Sequence, residues 1–524
     1  MSQQLYKSTA IVSVMTLISR VMGFVRDMLI ASLFGVSEAT DAFFVAFKIP
    51  NFLRRLFAEG AFAHAFVPVL SLYKQHESEA GIKAFIDRTT GTLAVLLIGM
   101  TLLGVVISPW LIIVFAPGFP NEGDQHRLAV ELLRITLPYV FFISLTALAG
   151  SILNVYGRFA IPALTPVILN LTMIAAAIWL SPLCAEPIMA LGWGVAVAGI
   201  IQLLFQIPPL LRLGLLPRLQ WGWHDSGVRR VAGLMLPAIF SASVVQVNML
   251  FDTVVASFLE QGSVSWLYYS DRMVEFPIGM LGVAVGAVML PSLSRSHASN
   301  DAPAFSMSLD WGLKLVFVAG APATIGLVML ANPLLSTLFQ YNAFDANDVM
   351  MSGRSLQTFA LGLLAFVMIK VVVPGFTARQ DARTPARFGI YSVISNIVLS
   401  LLLVVPLAHA GIALATTLSA YLNVALLLAA LIRQNIYRFG AEWGVFTARV
   451  MLANLAMTAF LWQTVDATDW LFANGLSADG LSASGLDRSA RLLWTIFEAA
   501  LIYVVSLFIA GFRFGHLLNK ARGT

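Results

Sequence analysis

Thirteen ionisable side chains stand inside or beside apolar runs of this sequence: Arg20, Arg26, Asp27, Asp41, Lys48, Arg54, Arg55, Glu59, Asp252, Asp271, Arg272, Glu275 and Lys370. An Arg, Lys or Asp at the centre of a membrane helix costs roughly 2.5–3.5 kcal/mol on insertion scales, so each must face a watery cavity, pair, or reach an interface. Arg26 beside Asp27 and Asp271 beside Arg272 suit local pairing, and Lys370 suits snorkelling to an interface. The set as a whole leans basic, because Asp41, Glu59, Asp271 and Glu275 only partly neutralise Arg20, Arg26, Arg54 and Arg272. The guanidinium fork stays charged when buried and binds oxyanions bidentately, so arginines in a midplane cavity point to an anionic, phosphate-bearing substrate. Asn51 and Ser265 are placed to add neutral hydrogen bonds. The chemistry is recognition rather than catalysis. There is no Walker loop, His-Glu-x-x-His, Gly-x-Ser-x-Gly or dinucleotide fingerprint, the seven histidines lack metal-ligand spacing, and the single Cys184 excludes an intramolecular disulfide. No cofactor is expected. Without a nucleotide-binding motif, active transport would draw on a coupling ion or on the membrane potential, worth about 2.3 kcal/mol per charge per 100 mV.

The elements that hold these residues must lie in a bilayer. The chain has 524 residues, 59% hydrophobic and only 11% charged, with a mean hydropathy of +0.84. Soluble domains carry about 25% charged residues, so a water-coated globule and a disordered chain are both excluded. The net charge of +5 fits basic cytoplasmic loops better than nucleic-acid binding. Fourteen apolar segments predict membrane crossings near 8–34, 40–72, 89–116, 128–156, 161–181, 187–211, 230–259, 271–294, 308–340, 355–378, 386–407, 410–432, 446–465 and 491–512. Pro50 is expected to bend or break the second. Fifteen basic residues fall on the even-numbered loops, Lys74, Arg158, Arg212 and Arg433 among them, against four (Arg127, Arg354, Arg488 and Arg491) on the odd ones. The positive-inside rule then places the even loops and both termini in the cytoplasm. No cleavable signal peptide is expected, since Arg20 interrupts the first apolar run.

Prolines reveal an internal repeat. Pro68 and Pro291, Pro109 and Pro333, and Pro162 and Pro385 recur at offsets of 223, 224 and 223 residues. The expected fold is therefore an all-α integral membrane protein of 14 transmembrane helices. Two six-helix lobes, 1–222 and 223–437, are related by a parallel pseudo-two-fold repeat, and 438–524 holds two C-terminal helices. In such designs the substrate site lies between lobes near the midplane, and rocking gives alternating access. The second and eighth segments would face each other there, bringing the four arginines together.

Three stretches are long enough to carry a family resemblance: Ser19-Arg20-Val21-Met22-Gly23-Phe24-Val25-Arg26-Asp27, Thr40-Asp41 through Lys48-Ile49-Pro50-Asn51-Phe52-Leu53-Arg54-Arg55 to Phe57-Ala58-Glu59-Gly60, and Ser263-Val264-Ser265-Trp266 through Asp271-Arg272 to Glu275-Phe276-Pro277. The chain resembles the MurJ/MviN lipid II flippases of the MOP exporter superfamily over almost its whole length, most weakly after about residue 435. The resemblance implies transfer of lipid II, the undecaprenyl-diphosphate-linked peptidoglycan precursor, from the cytoplasmic to the periplasmic leaflet of a bacterial inner membrane. It implies that Arg20, Arg26, Arg54 and Arg272 line the central cavity and bind the diphosphate. Asp41 is implied in gating or charge pairing and Glu59 in function, while Asp27, Lys48, Asp271 and Glu275 complete the charge-pairing set. The last two helices are implied to hold the polyprenyl tail. Expected partners are lipid II, membrane lipids and cell-wall synthesis proteins. Two alternatives remain within the superfamily or its chemistry: a flippase for another polyprenyl-linked glycan, and a drug or cation antiporter, which would call for acids in the cavity. A third, a non-transporting scaffold, would need no buried arginines.

Overall fold

The computed structural model describes residues 3–55, 62–465, 470 and 485–513. Glu59 and the motif residues 57–61, like most of the Gly/Ser-rich stretch after 465, lie outside them. The described residues are helical, with no strand among them. Contacts divide the chain into two compact units, Met1–Ser265 and Trp266–Thr524. The first holds α1 (Gln3–Phe34), α2 (Glu38–Arg54), α3 (Phe62–His76), α4 (Glu79–Val106), α5 (Ser108–Phe115), α6 (Asp124–Thr136), α7 (Pro138–Val155), α8 (Ala160–Ala175), α9 (Met189–Arg212) and α10 (Ser226–Ala256). At its border begins α11 (Ser263–Ala298), followed in the second unit by α12 (Ala302–Met329), α13 (Ala331–Phe339), α14 (Ala346–Leu361), α15 (Leu363–Thr377), α16 (Arg383–Arg433), α17 (Trp443–Thr464) and α18 (Gly485–Ile509). Nine helical stretches among the described residues are long and apolar enough to cross a membrane.

Proline and glycine decide where these helices break. Pro109 opens α5 and Pro138 opens α7, positions where the missing N–H costs nothing. Pro50 does not end its helix: α2 runs through it to Arg54. A membrane helix tolerates an interior proline where neighbouring groups satisfy the freed carbonyl. In α16 the kink falls at Ala408, with φ 49° and ψ −132°, between the two crossings expected there. Three residues on, a Cβ on Gly411 would lie 2.2 Å from the Leu403 carbonyl oxygen, so the turn closes only around a glycine.

Two runs of four helices have comparable lengths. Helices α4 to α7 measure 28, 8, 13 and 18 residues, and α12 to α15 measure 28, 9, 16 and 15.

Each unit has its own core. In the first, Phe62, Phe66, Phe85 and Ile152 bury one cluster, with Phe66 and Phe85 stacked at 5.6 Å. The segment joining α9 to α10 is strapped onto α4: Asp87 accepts the Arg218 N–H at 2.7 Å, Thr92 the Gly222 N–H at 3.0 Å, and Arg88 pairs with Asp225 at 2.6 Å. Asp225 in turn caps α10, fixing where that helix starts. In the second unit Val318, Val450, Leu461, Tyr503 and Leu507 join α12, α17 and α18 in one cluster. The outside is as apolar as the core. Val106 is 73% exposed, Trp110 70% and Val405 86%, a surface that water would not tolerate and lipid would.

Candidate functional site

In the first unit the predicted residues form separate, well-partnered groups. Arg26 is buried and paired with Asp27 at 2.6 Å. Its Nη1 also donates to Asn170 Oδ1 at 3.1 Å, and Asn170 Nδ2 donates to the Ser19 carbonyl at 3.1 Å, fastening α1 to α8. Arg20, on the same helix, is exposed. On α2, Lys48 donates to Thr253 Oγ1 at 2.8 Å and Arg54 Nε to Asn51 Oδ1 at 3.3 Å. Ser37 and Thr40 cap this helix reciprocally, which sets the position of Asp41 in its first turn.

Asp41 is 2% exposed and accepts three hydrogen bonds. These come from the Gly262 N–H at 2.7 Å, the Ser265 N–H at 2.9 Å and the Ser265 hydroxyl at 2.5 Å. The carboxylate thus caps the start of α11 from a position more than two hundred residues earlier in the chain. The orphan N–H groups and positive dipole end of a helix favour a negative charge there. The pairing of Asp41 with Ser265 joins two predicted residues that the sequence assigned to different tasks.

In the second unit Arg272 pairs with Glu275 at 2.5 Å, and its guanidinium lies 4.9 Å from the Tyr268 ring. Both partners stand within one turn of α11, the spacing at which helical side chains meet. Asp271 is half-buried next to it.

Sequence reasoning missed a buried ionic cluster. Lys314 is 6% exposed and contacts Asp310 at 2.8 Å and Glu442 at 2.7 Å. Asp310 also accepts from the Tyr437 hydroxyl at 3.1 Å and from Trp443 Nε1 at 2.5 Å. The signal was available, since Asp310 and Lys314 stand four residues apart inside the predicted ninth crossing. Arg488 is a second case. It is buried, donates to the carbonyls of Ser336 and Gln340, each at 3.3 Å, and lies 4.4 Å from the Tyr341 ring. It satisfies the carbonyl end of α13 from the first turn of α18.

Taken one by one, Arg26 on α1, Arg54 on α2 and Arg272 on α11 each carry a guanidinium oriented by a neighbour, a group suited to binding an oxyanion. The family model described as "Lipid II flippase MurJ" matches residues 30–476. A probable lipid II flippase MurJ of Vibrio cholerae is 46% identical over 479 residues, covering 90% of this chain and 91% of the relative. A solved structure of a lipid II flippase MurJ in an inward closed conformation superposes with a TM-score of 0.79 at 26% identity, over 95% of this chain and 98% of that one. A multidrug-resistance MATE transporter of the MOP superfamily shares the fold, with a TM-score of 0.67 at 14% identity, over 80% of this chain and 94% of its own. The chain belongs to the lipid II flippase MurJ family.

Proposed function

We infer that this protein is a lipid II flippase, a multi-pass membrane transporter that carries the undecaprenyl-diphosphate-linked precursor from the cytoplasmic to the periplasmic leaflet. The observation that carries the reading is family membership across residues 30–476, which contain most of the basic set. The likeness to MATE transporters at 14% identity is one of fold alone, and a cavity rich in arginine is poorly suited to cations. The antiporter alternative and the other polyprenyl-linked glycans have no observation in their favour.

The finer reading is fourteen crossings in two six-helix lobes, 1–222 and 223–437, with a tail-holding pair in 438–524 and both termini cytoplasmic. The repeated helix lengths of α4–α7 and α12–α15 support the lobes. Loop charge supports the orientation. In this mechanism the headgroup enters an inward-facing cleft while the tail stays in lipid. Arg20, Arg26, Arg54 and Arg272 replace the water lost by the diphosphate, and Asn51 orients Arg54. The Asp41–Ser265 contact closes the periplasmic side and opens as the lobes rock. Asp27 and Glu275 hold their arginines in place, while Lys48, Glu59 and Asp271 balance the remaining charge. No group undergoes chemistry, so the energy comes from the membrane potential or a coupling ion.

The test is exposure of lipid II in spheroplasts to an added, membrane-impermeant enzyme that cleaves it, with the chromosomal copy depleted. Wild type restores outward-facing lipid II. Arg272→Ala at normal membrane abundance is expected to lose at least tenfold, and Arg272→Lys to recover only part, since charge remains but the fork is lost. Full activity of Arg272→Ala removes the arginine site.

A further inference from the structure

The first two turns of α11 are held from one side by a buried polar zipper that no reading of the arginines requires. Trp266 is 4% exposed and its Nε1 donates to Asp348 Oδ1 at 2.9 Å. One turn on, the fully buried Ser270 hydroxyl shares its proton between the Ser352 carbonyl and the Trp266 carbonyl of its own helix, each at 2.7 Å. Buried Ser355 shares a 2.6 Å hydrogen bond with His409 Nδ1, and the His409 ring lies 5.2 Å from the Trp266 ring. Asp348, Ser352 and Ser355 follow one another at four and three residues, so they occupy one face of α14. Asp348 is itself fixed, because its backbone N–H and second carboxylate oxygen form the reciprocal cap with Asp345 that starts α14. His409 sits beside the Ala408 kink of α16, so three elements meet at this seam.

The zipper determines what the other side of α11 presents. Trp266 and Ser270 share a face, being four residues apart. Tyr268 and Arg272 also share one, and their contact at 4.9 Å shows it. The two pairs are offset by two residues, which is about 200° of rotation on a helix of 3.6 residues per turn. A rotation of α11 that breaks the zipper therefore swings Arg272 by the same angle. In a membrane interior such a rotation strands the indole N–H and takes its donor from one Asp348 oxygen, while the Ser270 hydroxyl falls back on the Trp266 carbonyl of its own helix, so the register is favoured chiefly by the indole bond.

We propose that Trp266, Ser270, Asp348 and His409 are positioning residues for transport, locking the rotation of α11 so that Arg272 faces the substrate. The proposal rests on the assignment of Arg272 to the diphosphate site. Trp266→Phe combined with Ser270→Ala removes both donors while keeping an aromatic ring at the first position, at the cost of a small cavity. The double variant is expected to reach the membrane in normal amount and to lose about tenfold in outward-facing lipid II. In a Cys184→Ser chain, the thiol of Arg272→Cys should react about threefold more slowly with a small soluble thiol reagent once the two zipper substitutions are added. Asp348→Asn, whose single amide oxygen keeps the indole's acceptor but sets an amide donor against the Asp345 N–H, should flip at several times the rate of Asp348→Leu. Wild-type flipping and unchanged thiol reactivity in the double variant overturn the proposal. So does a loss of flipping that merely tracks lower membrane abundance with reactivity unchanged, since that is the signature of a structural role. If Arg272→Ala itself flips normally, the fault lies in the functional assignment and not in the zipper.

Discussion

At the scale of single residues, charge inside this protein is held rather than loose. Asp41 shows the principle. Two backbone N–H groups and one hydroxyl converge on it at 2.5–2.9 Å, so its loss strands donors where water does not reach. Each stranded group costs about 1–3 kcal/mol. Asp41→Ala should therefore lower stability by roughly 3 kcal/mol, and Asp41→Asn, which keeps one acceptor oxygen, by less. Thermal melts of the purified protein in detergent decide this, and an Asp41→Ala chain melting with wild type refutes the capping role. Lys314 makes the complementary case for a cation. Two carboxylates hold it, one of them on exposed Glu442. Removing one member of a buried pair costs about 3–5 kcal/mol, and water reaching Glu442 brings the expectation for Lys314→Met to about 3 kcal/mol. A melt within 1–2 °C of wild type would show that the cluster holds nothing together.

At the scale of elements, helix ends carry much of the organisation. Asp381 lies in the loop before α16, outside the membrane, and accepts the Arg383 and Thr384 N–H groups at 3.1 and 3.0 Å. Hydrogen bonding from the Thr384 side chain, then from these backbone groups, holds its carboxyl below the usual carboxylate range. A group so depressed contributes stability above its unfolded pKa of about 4, and that stability is lost as pH falls through the lower native value. Amide protection in the first turn of α16, taken relative to the intrinsic exchange rate, should fall as the pH drops below about 4, and Asp381→Ala should lack that fall. Protection that falls equally in Asp381→Ala would assign the effect elsewhere. The last two helices follow the same logic. Lys314 with Glu442, Arg488 at the end of α13, and the Tyr503 hydroxyl on the Val318 carbonyl at 2.8 Å fasten α17 and α18 to the second unit. The appendage read from the repeat arithmetic is a packed part of that unit.

At the scale of the whole molecule, the native sequence supplies its own probe of orientation. Cys184 is the only cysteine, is partly exposed, and lies between the fifth and sixth expected crossings. If the even loops are cytoplasmic, this loop is periplasmic. Intact spheroplasts should then label at Cys184 with an impermeant maleimide, and permeabilisation should add little. Labelling that appears only after permeabilisation inverts the topology and with it the direction of transport.

The sequence by itself determined that this chain belongs in a bilayer, because 11% charged residues cannot coat a water-exposed surface of this size. It placed a boundary between the crossings 386–407 and 410–432, where the structure kinks at Ala408, but left the breaks at Pro109 and Pro138 inside single expected crossings. It also determined the family, through long motifs that keep every charged position. Tertiary structure alone decided which charges are partnered by what. Asp41 meets Ser265, Arg26 meets Asn170, Lys314 meets Glu442 and Trp266 meets Asp348 across tens to hundreds of residues of chain. Local spacing names the partner only when it lies within a turn, as Glu275 does for Arg272. The rest depends on which helix faces lie together, and helical periodicity cannot show that when lipid and core are equally apolar.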